Sequence, residues 1–156
     1  MLTTIRFSIM FSLVSFAWLL IEFLLGLHGE HIDQFLWFDS LFFIPAVAMM
    51  VWALRYRRAE MREAWTYWEG IKLGAVMGAM IGILSIPSLY LFFTYVNPSF
   101  FEDFIAFSVG AGQATLEEAT DYFNFRSYAM QSAFFPLVAG VVTNALVGFL
   151  YRKPIA

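Results

Sequence analysis

The sequence has no cysteine, which excludes disulfides, thiolate chemistry, iron–sulfur clusters and a lipid-modified cysteine anchor. Charge is also scarce: 13% of the 156 residues are Asp, Glu, Lys or Arg, and 61% are hydrophobic, against roughly 25% and 45–50% in an ordinary soluble domain. That balance excludes a soluble globular protein. There is no serine-nucleophile motif, phosphate-cradling glycine loop or dinucleotide fingerprint, so no catalytic residue, enzyme activity or cofactor is expected. The only two histidines share one short segment and cannot clamp a haem between separate helices. Nor is a nucleic-acid partner expected.

What is present is long apolar sequence. No charged residue occurs between Leu73 and Phe101, or between Ser127 and Tyr151, and runs of at least about 18 apolar residues read as membrane-spanning helices. We expect an all-α integral membrane protein, one domain over residues 1–156, with four spans at about 7–27, 35–54, 71–96 and 126–151. The first would cover about 31 Å at 1.5 Å per residue, close to the hydrocarbon thickness of a bilayer. It lacks the short apolar core and small-residue cleavage site of a signal peptide, and is expected to remain in the mature protein. The second has only fifteen uncharged residues between Asp39 and Arg55, so Asp39 must lie within its outermost turns. Pro45, Pro87 and Pro136 lie inside spans two, three and four, where each frees a backbone carbonyl.

Orientation follows from the basic residues. Arg6, Arg55, Arg57, Arg58, Arg62, Lys72, Arg152 and Lys153 fall on one side and Arg126 alone on the other, which predicts cytoplasmic termini under the positive-inside rule. The opposite face is acidic, with Glu30, Asp33, Glu102, Asp103, Glu117, Glu118 and Asp121. In the connection from Arg55 to Gly70, arginines lie near Trp65, Tyr67 and Trp68, as in an interfacial segment with its rings at headgroup level. Arg55, Arg57, Arg58 and Arg62 are the candidate contacts for anionic lipid; a solvated basic loop that only sets topology is the blander reading. In the outer connection, Asn97 followed by Pro98 predicts a helix start, and Thr115 with Glu118 forms a capping-box pattern. Two short amphipathic helices are therefore expected within 97–125.

Inside lipid, helices associate through close packing of small residues and inter-helix hydrogen bonds. Gly74, Gly78 and Gly82 repeat every four residues on span three, as do Pro136, Gly140, Asn144 and Gly148 on span four. Ser8, Ser12, Ser15, Leu19, Glu22 and Gly26 form a stripe on span one, and the three stripes are expected to face one another, with Asn144 bonding a serine. Nearer the outer surface, Glu22 and Asp39 lie a few residues inside their helices, with Ser40, Tyr90, Thr94, Gln131 and Arg126 at similar depth. A carboxylate there needs a partner or a proton, which leaves two readings for Glu22: a proton- or ion-binding group, or a helix lock. His28, Glu30, His31 and Asp33 have ligand-type side chains, but their spacing matches no catalytic zinc pattern and a polar turn is expected.

Gly26-Leu27-His28-Gly29-Glu30, the second span from Leu41 to Ala46, Thr94-Tyr95-Val96-Asn97-Pro98, and Glu117-Glu118-Ala119 with Tyr122-Phe123-Asn124 together resemble the bacterial membrane proteins grouped as domain of unknown function 4199. The resemblance extends over nearly the whole chain. It implies a small bacterial inner-membrane protein and supplies no catalytic residues. The expected function is an accessory or interaction subunit of the cell envelope, in contact with the lipid bilayer and with a membrane-protein partner or further copies of itself. The alternative is a small proton- or ion-coupled transporter using Glu22. Reporter fusions after residue 68 and at the carboxyl terminus should both report cytoplasm and one near Gly112 the outside; termini on opposite faces would contradict four spans.

Overall fold

A computed structural model describes residues 2–151, all of whose regular elements are helical. Arg152 and Lys153, used for orientation, lie outside the described residues. Helices α1 (Leu2–Leu24), α2 (Phe35–Leu41) with α3 (Phe43–Met61), α4 (Tyr67–Leu91) and α7 (Phe125–Leu150) build four segments long and apolar enough to cross a bilayer. Between α4 and α7 lie α5 (Phe100–Gly110) and α6 (Leu116–Tyr122), the two short helices expected in that connection. The Thr115–Glu118 capping box is formed in full, each residue bonding the backbone N–H of the other. Its backbone bond from Thr115 holds the exposed Glu118 carboxyl below the usual range.

The prolines explain two local departures from ideal helix. Pro45 lies in the first turn of α3, just after the interruption at Phe42, where a missing N–H is tolerated. Pro136 stays inside α7 and leaves the Ser132 carbonyl without its i+4 donor; Ser85 Oγ of α4 donates to that oxygen at 3.2 Å. That bond joins the two helices. The expected bond from Asn144 to a serine does not form: Asn144 is fully buried with no hydrogen-bond partner for its side chain among the described residues, while Ser12 and Ser8 each donate to the carbonyl four residues earlier in α1.

Helices α4 and α7 approach to backbone contact. A β-carbon on Gly74 would collide with the carbonyl oxygen of Gly140, one on Gly78 with that of Pro136, and one on Gly82 with that of Ala133. Gly140 is equally closed by the Gly74 carbonyl, whereas a β-carbon on Gly148 would make ordinary contacts with the Tyr67 ring at 3.7 Å and Leu54 at 3.9 Å. On its other side α4 presents Leu73, Met77 and Ile81 to Phe7 and Phe11 of α1 and to Met50, Ala53 and Leu54 of α3. Ser8 is buried beside this core.

Three boundaries differ from expectation. The first helix stops at Leu24 rather than near Leu27, because Gly26 at φ +73° folds the chain back. Residues 55–61 are the last two turns of α3, not a loop, and Trp65 is no headgroup anchor: it is buried and its indole N–H donates to the Tyr151 carbonyl at 2.8 Å. Of its neighbours, Tyr67 reaches the Ala145 carbonyl and only Trp68 is exposed. Finally, Asn97 does not cap α5. The chain leaves α4 through a π-type turn at Phe92–Val96, in which the Asn97 N–H reaches back five residues to Phe92. The buried Asn97 side chain accepts from Ser99 Oγ, and α5 begins at Phe100.

Gly78→Ile should lower thermal stability in detergent by about 1–3 kcal/mol or more, since it overpacks a backbone contact, while Ala79→Ile on the exposed face should change little. Equal losses at both positions would contradict this packing.

Candidate functional site

Glu22 is the most deeply placed carboxylate, 1% exposed, and it lies one helical turn beyond Trp18 on the same face of α1. The Trp18 indole N–H donates to Glu22 Oε1 at 2.8 Å. Trp18 is itself held by stacking on Phe38 of α2, ring centroids 5.0 Å apart, and by Phe42. This polar contact is therefore clamped between the first two membrane segments.

A second group comes from the turn after α1. Gly26 adopts its positive φ, the Leu27 N–H donates to the Glu22 carbonyl, and the His31 N–H donates to that of Gly26. The returning chain points His28 inward. Only 3% exposed, its Nε2 stands 3.6 Å from Glu22 Oε2, an ion-pair distance when the imidazole is protonated. Around the imidazole stand Phe23, Phe35, Phe92, Phe100 and Phe104, with centroids from 4.9 to 6.4 Å away. Neither ring nitrogen has a hydrogen-bond partner among the described residues. Its hold is aromatic packing plus the adjacent carboxylate.

The π-type turn makes this enclosure possible. Its wider winding turns two consecutive residues inward: Phe92 packs against His28, and Phe93 against Phe100, Phe101 and Tyr128. Phe100 and Phe104, one turn apart on α5, roof the imidazole. The short helix α5 is thus fastened to the α1–α2 connection through His28.

Asp39 of α2 is exposed and close enough to Glu22 for the two charges to interact, but no hydrogen bond joins their carboxyls among the described residues. The predicted polar layer is accordingly divided. Glu22 and Asp39 come together, while Arg126 is exposed, and Tyr90 is 54% exposed with its ring against Phe125. Of the groups expected at that depth, Arg126, Tyr90 and Gln131 do not bond Glu22, which faces Trp18 and His28 instead. Gln131 instead accepts from the Tyr122 hydroxyl, and Ser40 bonds the Trp37 carbonyl. His31, Glu30 and Asp33 remain on the exterior, and among the described residues no three His, Cys, Asp or Glu side chains gather as a metal site. Trp18 could have been found from its four-residue spacing to Glu22; His28 was masked by its polar neighbours.

At the opposite end of the bundle the arginines have different surroundings. Arg57 pairs with Glu60 at 2.9 Å, and Glu60 also accepts from Thr3. Arg58 lies over the Tyr151 ring at 5.4 Å. Arg62 is exposed at the turn after α3, with φ +46°, and Arg55 is exposed beside Trp52 and Tyr56.

The chain belongs to the family described as protein of unknown function DUF4199, whose model matches residues 6–153. No curated protein and no solved structure matches it.

Substitutions at Glu22 should separate shape from charge. Glu22→Gln retains an acceptor for Trp18 and should be tolerated in thermal unfolding, whereas Glu22→Leu strands the indole N–H and should cost about 1–3 kcal/mol. Equal tolerance of both variants would contradict a buried, hydrogen-bonded Glu22.

Proposed function

We propose that this protein is a non-enzymatic accessory or interaction protein of the bacterial cell envelope, resident in the inner membrane with both termini cytoplasmic. The observation that carries this reading is the enclosure of Glu22: its two oxygens face Trp18 and His28, and phenylalanines close over the imidazole. Such a carboxylate serves to fasten the outer helices to the bundle. Two open grooves lie on outward helix faces, one lined by Ala48, Val51, Trp52, Arg55 and Tyr56 and the other by residues from α1 and α4, and neither includes Glu22. On this reading the glycine seam between α4 and α7 is internal scaffold, which leaves the remaining helix faces for lipid, a membrane-protein partner or a second copy.

One observation favours a second reading. Asp39 is exposed near Glu22, which in turn faces His28, so three titratable side chains lead from the surface inward, as a small proton-coupled carrier using Glu22 would require. Flux in liposomes distinguishes the two. An accessory protein gives the same slow proton leak with wild type and Glu22→Gln, and co-purifies from native membranes with a defined protein; pH-coupled flux that Glu22→Gln abolishes without unfolding would overturn the accessory role.

A further inference from the structure

The arginine-rich end of the bundle contains one groove whose chemistry is more specific than a diffuse basic surface. It lies on α3 and is lined by Ala48, Val51, Trp52, Arg55 and Tyr56, positions that recur on one helix face. Trp52 is 55% exposed and Tyr56 48%, yet both rings are backed by Phe7 of α1, at 5.2 and 5.8 Å between centroids. Packing from beneath holds the two aromatics in place while their outer faces stay open. The neighbouring cations have other contacts, since Arg57 is paired with Glu60 and Arg58 lies over Tyr151. Arg55 enters none of the salt bridges or hydrogen bonds among the described residues and is exposed in the groove.

We propose that this groove binds one anionic phospholipid, with its phosphate on Arg55 and an acyl chain along Ala48 and Val51. Charge complementarity selects the occupant. The groove passes from apolar side chains to a guanidinium where the uncharged run of the second membrane segment ends, the same order as chain and phosphate in a lipid. A guanidinium can hold a phosphate through two parallel N–H···O bonds, which a screened surface charge does not match. Trp52 and Tyr56 add an indole N–H and a hydroxyl at the level expected for the glycerol and headgroup oxygens. Of the four arginines proposed as lipid contacts, Arg55 is the one that lines this groove.

Native mass spectrometry of the full chain released from mixed micelles, with phosphatidylglycerol and phosphatidylcholine of identical chains, tests the assignment. One phosphatidylglycerol should remain bound to wild type in preference to phosphatidylcholine. Arg55→Gln should reduce its occupancy about tenfold, the equivalent of one charge-assisted contact, while Arg57→Gln, equal in net charge, leaves it nearly unchanged. Quenching of tryptophan emission by brominated phosphatidylglycerol should fall in Trp52→Phe, and thermal unfolding should confirm that all three variants are folded. Equal losses for Arg55→Gln and Arg57→Gln would overturn the site in favour of diffuse attraction. Displacement by glycerol phosphate, which has no acyl chains, would overturn the groove. A change of oligomeric mass in Arg55→Gln without loss of lipid would assign this face to a second copy instead.

Discussion

A carboxylate inside an apolar helix end must find its partners within the protein, and the half of this molecule that carries α5 and α6 is arranged around that constraint. Glu22 receives the Trp18 indole N–H from its own helix and faces the His28 imidazole supplied by the turn that follows. To place His28 there, α1 has to end at Leu24 and Gly26 has to take up a positive φ. The imidazole then has to be kept from water, which draws in phenylalanines from α2, the π-type turn and α5. The position of α5 and the winding of the α4 terminus are both linked to one buried polar pair.

The opposite half depends on a different kind of contact. There α4 and α7 meet through bare backbone at Gly74, Gly78 and Gly82, and the carbonyl left open by Pro136 takes a serine hydroxyl from the neighbouring helix. Directional bonds to carbonyls of α7 and the residue after it come from Trp65 and Tyr67 at this end and from Ser85 farther along α4. Dispersion across closely approaching backbones does not require a hydrophobic effect, which lipid cannot supply. The two ends thus combine a nonpolar seam with a polar latch, and Asn144 lies buried in the seam with no partner for its amide among the described residues.

Much of this was legible in the sequence because it is written in charge gaps and spacing. The four long segments follow from uncharged runs, the capping box from Thr115 and Glu118, and the depth of Glu22 from its distance to the helix end. What escaped was the direction of side chains in the connections. Trp65 resembles an interfacial tryptophan until Tyr151 offers it a carbonyl. Asn97 before Pro98 resembles a cap until the π-type turn takes the backbone past that position. Arg126 was the natural partner for Glu22 by charge, yet an indole donor one turn away satisfies the carboxylate without moving a cation inward. Local composition could not show that His28 and His31, three residues apart, point to opposite environments.

The pairing of those two histidines with such different surroundings makes the central claim directly measurable. Histidine-selective ¹⁵N NMR in lipid nanodiscs yields two imidazole signals, assigned by His31→Gln. The enclosed Glu22–His28 pair predicts that the His28 ring is protected from exchange with water, shows contacts to phenylalanine protons, and shifts in Glu22→Gln while His31 does not. Two imidazoles in equally fast exchange with water, both indifferent to Glu22→Gln, would contradict it.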